Sequence, residues 1–183
     1  MAVTAGTDSQ PNTASVEERL PGVGTASILM FMKTLEASIA EHPFLKGMSA
    51  EHLKILADSA MRAEFKEGEI IFREGDPANR FYLIEEGRVV LESRKKDCAP
   101  VEIQTIGAGD VLGWSWLFPP YYWNFEARAL EATRAIFFYG TRLREKCEED
   151  RAFGYELMKR MSAVMLQRLQ ATRKQLLELE ARR

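Results

Sequence analysis

Hydrophobic and polar positions follow a helical period in the part of the chain that comes after residue 24. Apolar side chains recur there at spacings of three and four, with Lys33 and Glu36 between them. These apolar residues are Ile28, Phe31, Met32, Leu35 and Ile39. The pattern predicts an amphipathic helix that ends before Pro43, and a second helix that Ser49 caps and that reaches about Met61.

Beyond Met61 the hydrophobic period changes to two. Val101 and Ile103, for example, alternate with Glu102 and Gln104, as in an antiparallel strand with one solvated face. Short runs of this kind are separated by turn residues, mainly glycine, proline and aspartate. They predict strands at 69–73, 80–85, 88–93, 101–106, 123–129 and 133–139. Many short strands indicate a roll or a sandwich.

From residue 141 to the C-terminus the chain is rich in strong helix formers, which predicts two helices or one long bent helix. Apolar residues in it follow one another at spacings of three and four, close to a heptad repeat. The predicted dimer seam consists of Met158, Met161, Met165, Leu169 and Leu176. A narrow apolar stripe favours a partner helix, so we expect a homodimer or a partner protein. The alternative is a helix end that frays.

Composition narrows the class of protein. The formal net charge of -2 and the pI near 5.8 give no overall positive field, so nucleic acid is not a favoured partner. Cys98 and Cys147 lie far apart and form no C-x-x-C motif, which favours neither a zinc site nor a disulfide framework. The longest apolar run near the N-terminus, 28–32, is too short to span a bilayer. We therefore expect a soluble cytoplasmic protein without a membrane partner.

These patterns divide the chain into four parts. Residues 1–24 are predicted to be a flexible leader, because they contain few large apolar side chains. Residues 25–62 carry the N-terminal helices, and 63–140 the β-rich block. Residues 141–183 carry the C-terminal helices and the predicted dimer seam.

Several motifs between Phe44 and Tyr139 resemble those of the cyclic-nucleotide-binding domain family, which includes catabolite-activator regulators and protein kinase regulatory subunits. The segments are HPFLKGMSAEHLKILA, FKEGEIIFREGDPANRFYLIEEGRVVL and IGAGDVLG. Turn glycines at family spacing are Gly68, Gly75, Gly87, Gly109 and Gly113. The resemblance implies a mainly β fold with flanking helices: an antiparallel β-roll of jelly-roll type between N-terminal helices and a long C-terminal helix.

The family's phosphate cassette resembles F-G-E-L-A-L, followed after a few residues by P-R-A-A-T-V. Aligned here without a gap, it becomes LGWSWL at 112–117 and YWNFEA at 122–127. The carboxylate that holds the ribose in the family then corresponds to Trp114, and the arginine that holds the phosphate corresponds to Trp123. Arg128 does not replace that arginine, because strand parity directs it away from the side of Trp123 and Phe125.

The exchange of a carboxylate and a cation for two indoles changes the chemistry of the site, because a buried phosphate without a paired cation is costly. The resemblance implies a pocket lined by Leu112, Gly113, Trp114, Ser115, Trp116, Trp123, Asn124 and Phe125. Three alternatives stay open: the rings fill an abandoned site, they line a pocket for a small apolar or aromatic ligand, or cAMP or cGMP binds through rearranged contacts. An arginine or lysine reaching this position from elsewhere in the chain would overturn the reading that the nucleotide site is lost.

Catalysis and metal binding are not expected. His42 and His52 are the only histidines, and both precede the roll. No segment for a helix-turn-helix follows the last helix, so DNA binding is not expected either. We therefore expect a non-catalytic regulatory or ligand-sensing domain without a cofactor, which does not bind cAMP or cGMP in the usual way.

Overall fold

Two four-stranded antiparallel sheets face each other in the computed structural model, which describes residues 35–93 and 99–181. Their strand orders are β1-β8-β3-β6 and β2-β7-β4-β5, and each pair of neighbours is antiparallel. The strands are β1 (Met61–Phe65), β2 (Ile70–Phe72), β3 (Arg80–Glu86), β4 (Arg88–Ser93), β5 (Val101–Gly107), β6 (Val111–Leu112), β7 (Glu126–Ala129) and β8 (Thr133–Tyr139). The predicted antiparallel β-roll with flanking helices is confirmed. The predicted leader and the start of the first helix lie outside the described residues.

Helices cover one side of this roll. They are α1 (residues 35–41), α2 (Ala50–Ala57), α3 (Gly140–Glu149) and α4 (Arg151–Glu180), with 3-10 turns at Pro43–Leu45 and Ser115–Leu117. The Ser49 hydroxyl accepts a hydrogen bond from the His52 amide and so caps α2, as the sequence predicts. Asp150 has extended backbone and caps α4 by accepting from the amides of Ala152 and Phe153. The segment after residue 140 therefore forms two helices that break at Asp150.

Some element bounds differ from the sequence prediction. The second helix ends at Ala57 instead of Met61, because residues 61–65 pair with β8 along their whole length and form β1. The first strand of the roll thus begins two residues before the predicted boundary. β1 was not predicted as a strand, and neither was β6, since two residues carry no periodicity. β7 begins at Glu126 instead of Trp123, because Trp123 pairs with the turn before β3 through the backbone.

The buried apolar residues form two clusters. One fills the space between the sheets, and its largest members are Phe72, Tyr82, Trp123, Phe125 and Phe137. The other lies between the roll and the helices, and it includes Ile39, Phe81, Trp116, Phe138, Phe153, Leu157 and Met161. The C-terminal helices are therefore packed on the roll through an apolar layer of their own, separate from the roll interior.

His42 gives the fold a dependence on pH. Its ring is 5% exposed; Nδ1 accepts from the Phe44 amide, and Nε2 lies 3.3 Å from the Ile84 carbonyl oxygen. Burial lowers its pKa below the ordinary 6.5, against the opposing effects of the Ile84 carbonyl, Glu85 and Asp110. The folded state therefore binds this proton less readily than the unfolded state does.

We expect the free energy of unfolding to be fully retained above pH about 6.5 and to fall as the pH drops through the lowered pKa of His42. Urea unfolding at pH values between about 5 and 8 measures this change, because the titration of carboxylates dominates at lower pH. His42→Gln is expected to remove the slope near pH 6, whereas His52→Gln retains it. An unchanged slope in His42→Gln would contradict the assignment.

Candidate functional site

Backbone geometry places Trp123 in the roll. Its amide donates to the Asp76 carbonyl oxygen and its own carbonyl accepts from the Gly75 amide, both at 2.9 Å. These two bonds tie the segment before β7 to the turn between β2 and β3. Gly113, directly after β6, has φ +84°, a left-handed conformation that glycine adopts without steric cost. The two segments face each other across the position that corresponds to the family's phosphate site.

The Trp123 indole fills this position. A Cβ atom added to Gly113 would lie 2.7 Å from Cη2 and Cζ3 of the indole, so the ring rests directly on the Gly113 backbone. On its other side the ring stacks on Phe72, with centroids 3.8 Å apart and planes 12° apart. Trp123 is only 4% exposed. The Trp123 side chain thus fills the space between the Gly113 backbone and Phe72.

The interior around Trp123 is also occupied. Phe125 lies 6.0 Å from Phe72 between ring centroids, and Leu112 is fully buried beside them. An opening of about 260 Å³ remains at the edge of Trp123, lined in part by Tyr82 and Arg80. Typical small-molecule pockets enclose roughly 300–1,000 Å³. Arg80 does not act as the missing phosphate cation here, because its guanidinium lies over the rings of Phe137 and Tyr139.

Trp114 is half-buried at the boundary between the two apolar clusters. Its ring meets Phe125 edge to face, with centroids 5.9 Å apart. Ser115 is buried, and its hydroxyl oxygen accepts a 3.3 Å hydrogen bond from the side-chain Nδ2 of the exposed Asn124. The structure therefore brings together seven of the residues in the predicted pocket, with the indoles packed against other rings. They are Leu112, Gly113, Trp114, Ser115, Trp123, Asn124 and Phe125.

Trp116 lies apart from this group. It is fully buried in the cluster between roll and helices, 6.0 Å from Phe81 between ring centroids. Its Cβ would be 2.7 Å from a Cβ built on Gly140, at the start of α3. Residues two apart share a face of a strand, but in a 3-10 turn of about three residues per turn they point in different directions. Trp116 therefore supports the helices and lines no pocket in the roll interior.

Sequence reasoning missed Arg168, which reaches the cassette from α4. Its guanidinium carbon lies 4.7 Å from the Trp114 ring centroid, and Nη2 donates to the Val111 carbonyl oxygen. Arg168 is 7% exposed, and burial lowers its pKa to about 10, against the charge of Asp110. Arg168 lies seven residues after Met161 and so on the same helix face, and this spacing was the sequence signal that could have indicated its burial. An arginine from elsewhere in the chain thus reaches one of the two indoles of the cassette, Trp114, which is an observation against loss of the nucleotide site. The other indole, Trp123, contacts Gly113 and Phe72.

Arg128 is engaged elsewhere. Its guanidinium forms an ion pair with Glu92 at 2.5 Å, and this bond raises its pKa. Ala127, its neighbour in β7, belongs to the interior cluster. Arg128 therefore points to the other face of the strand, as parity predicts, and does not supply a cation to the interior.

The predicted dimer seam divides into two parts. Met161 is fully buried against the chain's own core, and Met158 and Met165 are half-buried. Leu169 and Leu176 are 67% and 59% exposed. The exposed leucines of α4 thus all lie in its second half, and they also include Leu166, Leu177 and Leu179, whereas the first half exposes Tyr155.

Within residues 35–93 and 99–181, no group of three or more histidine, cysteine, aspartate or glutamate side chains is arranged to hold a metal ion. Across the same residues, no helix has the length and apolar character needed to cross a bilayer.

Comparison with known proteins gives one consistent family. The family model of the cyclic nucleotide-binding domain matches residues 62–150. The cAMP-dependent protein kinase type II regulatory subunit of Drosophila melanogaster is 35% identical over 81 residues, 44% of this chain and 21% of the subunit. The chain thus spans about a fifth of that relative's length.

Solved structures show the same fold. A protein from Geobacter metallireducens GS-15, assigned to the cyclic nucleotide-binding class, has 31% sequence identity and a TM-score of 0.63, covering 73% of this chain and 95% of that one. A cyclic nucleotide-binding domain from Methylobacillus flagellatus superposes with a TM-score of 0.68 at 15% identity, covering 81% and 84% of the two chains. The second likeness concerns the fold alone.

Proposed function

Because this chain belongs to the cyclic nucleotide-binding domain family, we propose that it is a non-catalytic regulatory domain of that family that does not bind cAMP or cGMP in the family's usual position. One observation carries the proposal: the Trp123 indole, which aligns with the phosphate-binding arginine of the family motif, rests on Gly113 and stacks on Phe72.

Energetics support this reading. A nucleotide would have to displace a buried tryptophan, and loss of such packing costs about 3–5 kcal/mol. Its phosphate would then be buried without a paired cation, which costs several kcal/mol more. A micromolar ligand gains only about 8 kcal/mol on binding. The two costs together consume most of this gain.

Titration calorimetry with cAMP and cGMP near neutral pH tests the proposal. We expect no saturable heat from the wild-type chain with nucleotide up to about 1 mM. At that concentration even a ligand whose binding free energy is only about 4 kcal/mol would be half bound. Saturable binding at micromolar concentration of either nucleotide would refute the proposal.

A second candidate function is nucleotide binding through rearranged contacts, and Arg168 is the observation that favours it. This buried cation already lies beside the ribose-equivalent Trp114. If the titration shows binding that Arg168→Gln abolishes, this candidate replaces the first. A small apolar or aromatic ligand, the remaining alternative, has less support because the opening beside Trp123 is small.

We further propose that the exposed apolar stripe on the second half of α4 joins two copies of this chain or binds a partner helix. Leu169 and Leu176 are seven residues apart, one heptad, and residues 169–181 are all exposed in the single chain.

Sedimentation of the full chain is expected to show a dimer. Leu169→Lys is expected to weaken dimerisation at least tenfold, since burying an unpaired charge is costly, whereas the neighbouring Gln170→Lys leaves it unchanged. A stable dimer has a dissociation constant far below about 100 µM. A 20.8 kDa monomer at that concentration would therefore contradict self-association.

A further inference from the structure

A cleft of about 540 Å³ lies between α4 and the turn that joins β5 to β6. Its volume falls within the range of roughly 300–1,000 Å³ that is usual for small-molecule sites. The opposite wall includes the turn at 109–111, Gln104 of β5 and Phe44, and none of the lining residues belongs to the cassette at 112–125. The α4 wall is a single helix face, with residues at spacings of three and one: Arg160, Ala163, Val164, Gln167, Arg168 and Ala171.

Short side chains and a fixed wall keep this cleft open. Ala163 and Ala171 present only methyl groups to it. Arg160 donates Nη1 to the carbonyl oxygens of Phe44 and Lys46, and it pairs with Glu156 at 2.8 Å. The guanidinium of Arg160 is therefore bonded within the chain and forms a wall of the cleft. A preformed cleft loses little conformational freedom when a ligand binds.

Two charged groups with unused bonding capacity line the cleft. Arg168 is 7% exposed and has one hydrogen bond, from Nη2 to the Val111 carbonyl oxygen. Its Nη1 is buried without a hydrogen-bond partner in the described part of the chain. Asp110 lies on the opposite wall, where its Oδ2 accepts from the Gly107 amide at 2.8 Å. Its Oδ1 accepts no hydrogen bond from residues 35–93 or 99–181.

The two groups have opposite charges, and these charges define the ligand. Arg168 and Asp110 form no ion pair with each other among the described residues, although the Asp110 charge opposes the lowering of the Arg168 pKa by burial. A simple anion would be repelled by Asp110, and a simple cation by Arg168. A molecule with a carboxylate and an ammonium group can form charge-assisted hydrogen bonds with both. An α-amino acid carries these two groups on one carbon atom.

We propose that this cleft binds a free amino acid as its zwitterion, with the carboxylate on Arg168 and the ammonium group on Asp110. The side-chain amides of Gln104 and Gln167 also line the cleft and bond to no other residue that the structure describes. They provide further donors and acceptors for the bound molecule. This inference does not rest on the proposed function, because it holds whether or not the cassette binds a nucleotide.

Nuclear magnetic resonance of the isotope-labelled full chain tests the site, with each standard L-amino acid added alone. We expect at least one of them to shift the backbone amide signals of Gly109, Asp110 and Gln167 saturably, with a dissociation constant of about 1 mM or less. The carboxamide and the N-acetyl derivative of that amino acid each lack one of the two charges. Both are expected to bind at least about tenfold more weakly.

Three variants connect this signal to the cleft. Ala163→Phe places a ring in the cleft and is expected to abolish the shifts, whereas Ala152→Phe, at an exposed alanine of the same helix outside the cleft, is the matched control and retains them. Asp110→Asn keeps an oxygen for the Gly107 amide but loses the charge, so it is expected to weaken binding at least about tenfold.

Four results would overturn the proposal. They are the absence of a saturable shift with every amino acid, equal binding by Ala163→Phe and Ala152→Phe, unchanged affinity in Asp110→Asn, and derivatives that bind as tightly as the zwitterion. If Ala163→Phe does not fold, Ala171→Phe takes its place, since this residue lines the same cleft. No nucleotide is present in these titrations, so their outcome is separate from that of the calorimetric test.

Discussion

Replacing Trp123 with alanine is expected to lower the free energy of unfolding by about 3–5 kcal/mol, the usual cost of deleting a large buried aromatic side chain. The indole is 4% exposed and packed between Phe72 and the Gly113 backbone, so its removal leaves a cavity in the roll interior. Urea unfolding measures the change. Tyr122→Ala, at a neighbouring ring that is 51% exposed, is the matched control and is expected to change the free energy by about 0.5 kcal/mol or less. If Trp123→Ala lowers the free energy of unfolding by less than about 1 kcal/mol, the ring lines an open pocket and contributes little to stability.

Substitution of Gly113 by alanine is the second large effect that we expect, at about 2–5 kcal/mol of destabilisation. The new methyl group costs about 1–2 kcal/mol at φ +84°, and its overlap with the indole at 2.7 Å costs about 1–3 kcal/mol more. Gly75→Ala separates these contributions, since Gly75 has φ +87° with no atom within 4 Å of an added Cβ. It is expected to show only the backbone part of the cost.

The two substitutions are also expected to be coupled. When Trp123 is already alanine, Gly113→Ala should lose the overlap contribution and cost no more than Gly75→Ala does. A Gly113→Ala cost that stays the same in both backgrounds would show that the indole does not rest on Gly113 in solution.

Sequence patterns indicated a roll or a sandwich, because the determinants of most strands and turns are local, and the family resemblance supplied the choice of a β-roll. Alternating and β-rich runs identified six of the eight strands that the structure describes, and glycine, proline and aspartate identified the turns between them. β6 escaped because two residues have no period, and Met61 at the start of β1 was read as the end of a helix because Leu53 and Leu56 continue the helical spacing towards it. These strands exist because β3 and β8 pair with them, which is a tertiary cause.

The site was only partly predictable, for two physical reasons. Alignment with the family motif placed Trp114 and Trp123 in the cassette, and the structure shows how each ring packs. Trp116 was grouped with them because a 3-10 turn of three residues cannot be recognised from spacing. No sequence pattern singled out Arg168, because buried cations are rare and its burial is explained only by its contact with Trp114.

The position of the Trp123 ring is the central claim, and the indole N–H spectrum of the isotope-labelled chain tests it most directly. The chain has three tryptophans and should give three indole signals, which Trp→Phe variants assign. We expect the signals of Trp114, Trp116 and Trp123 to keep their positions when cAMP or cGMP is added to about 1 mM. This concentration half-saturates a site whose binding free energy is only about 4 kcal/mol. A saturable shift of the Trp123 signal would show that nucleotide enters the space assigned to this ring, and it would contradict the account.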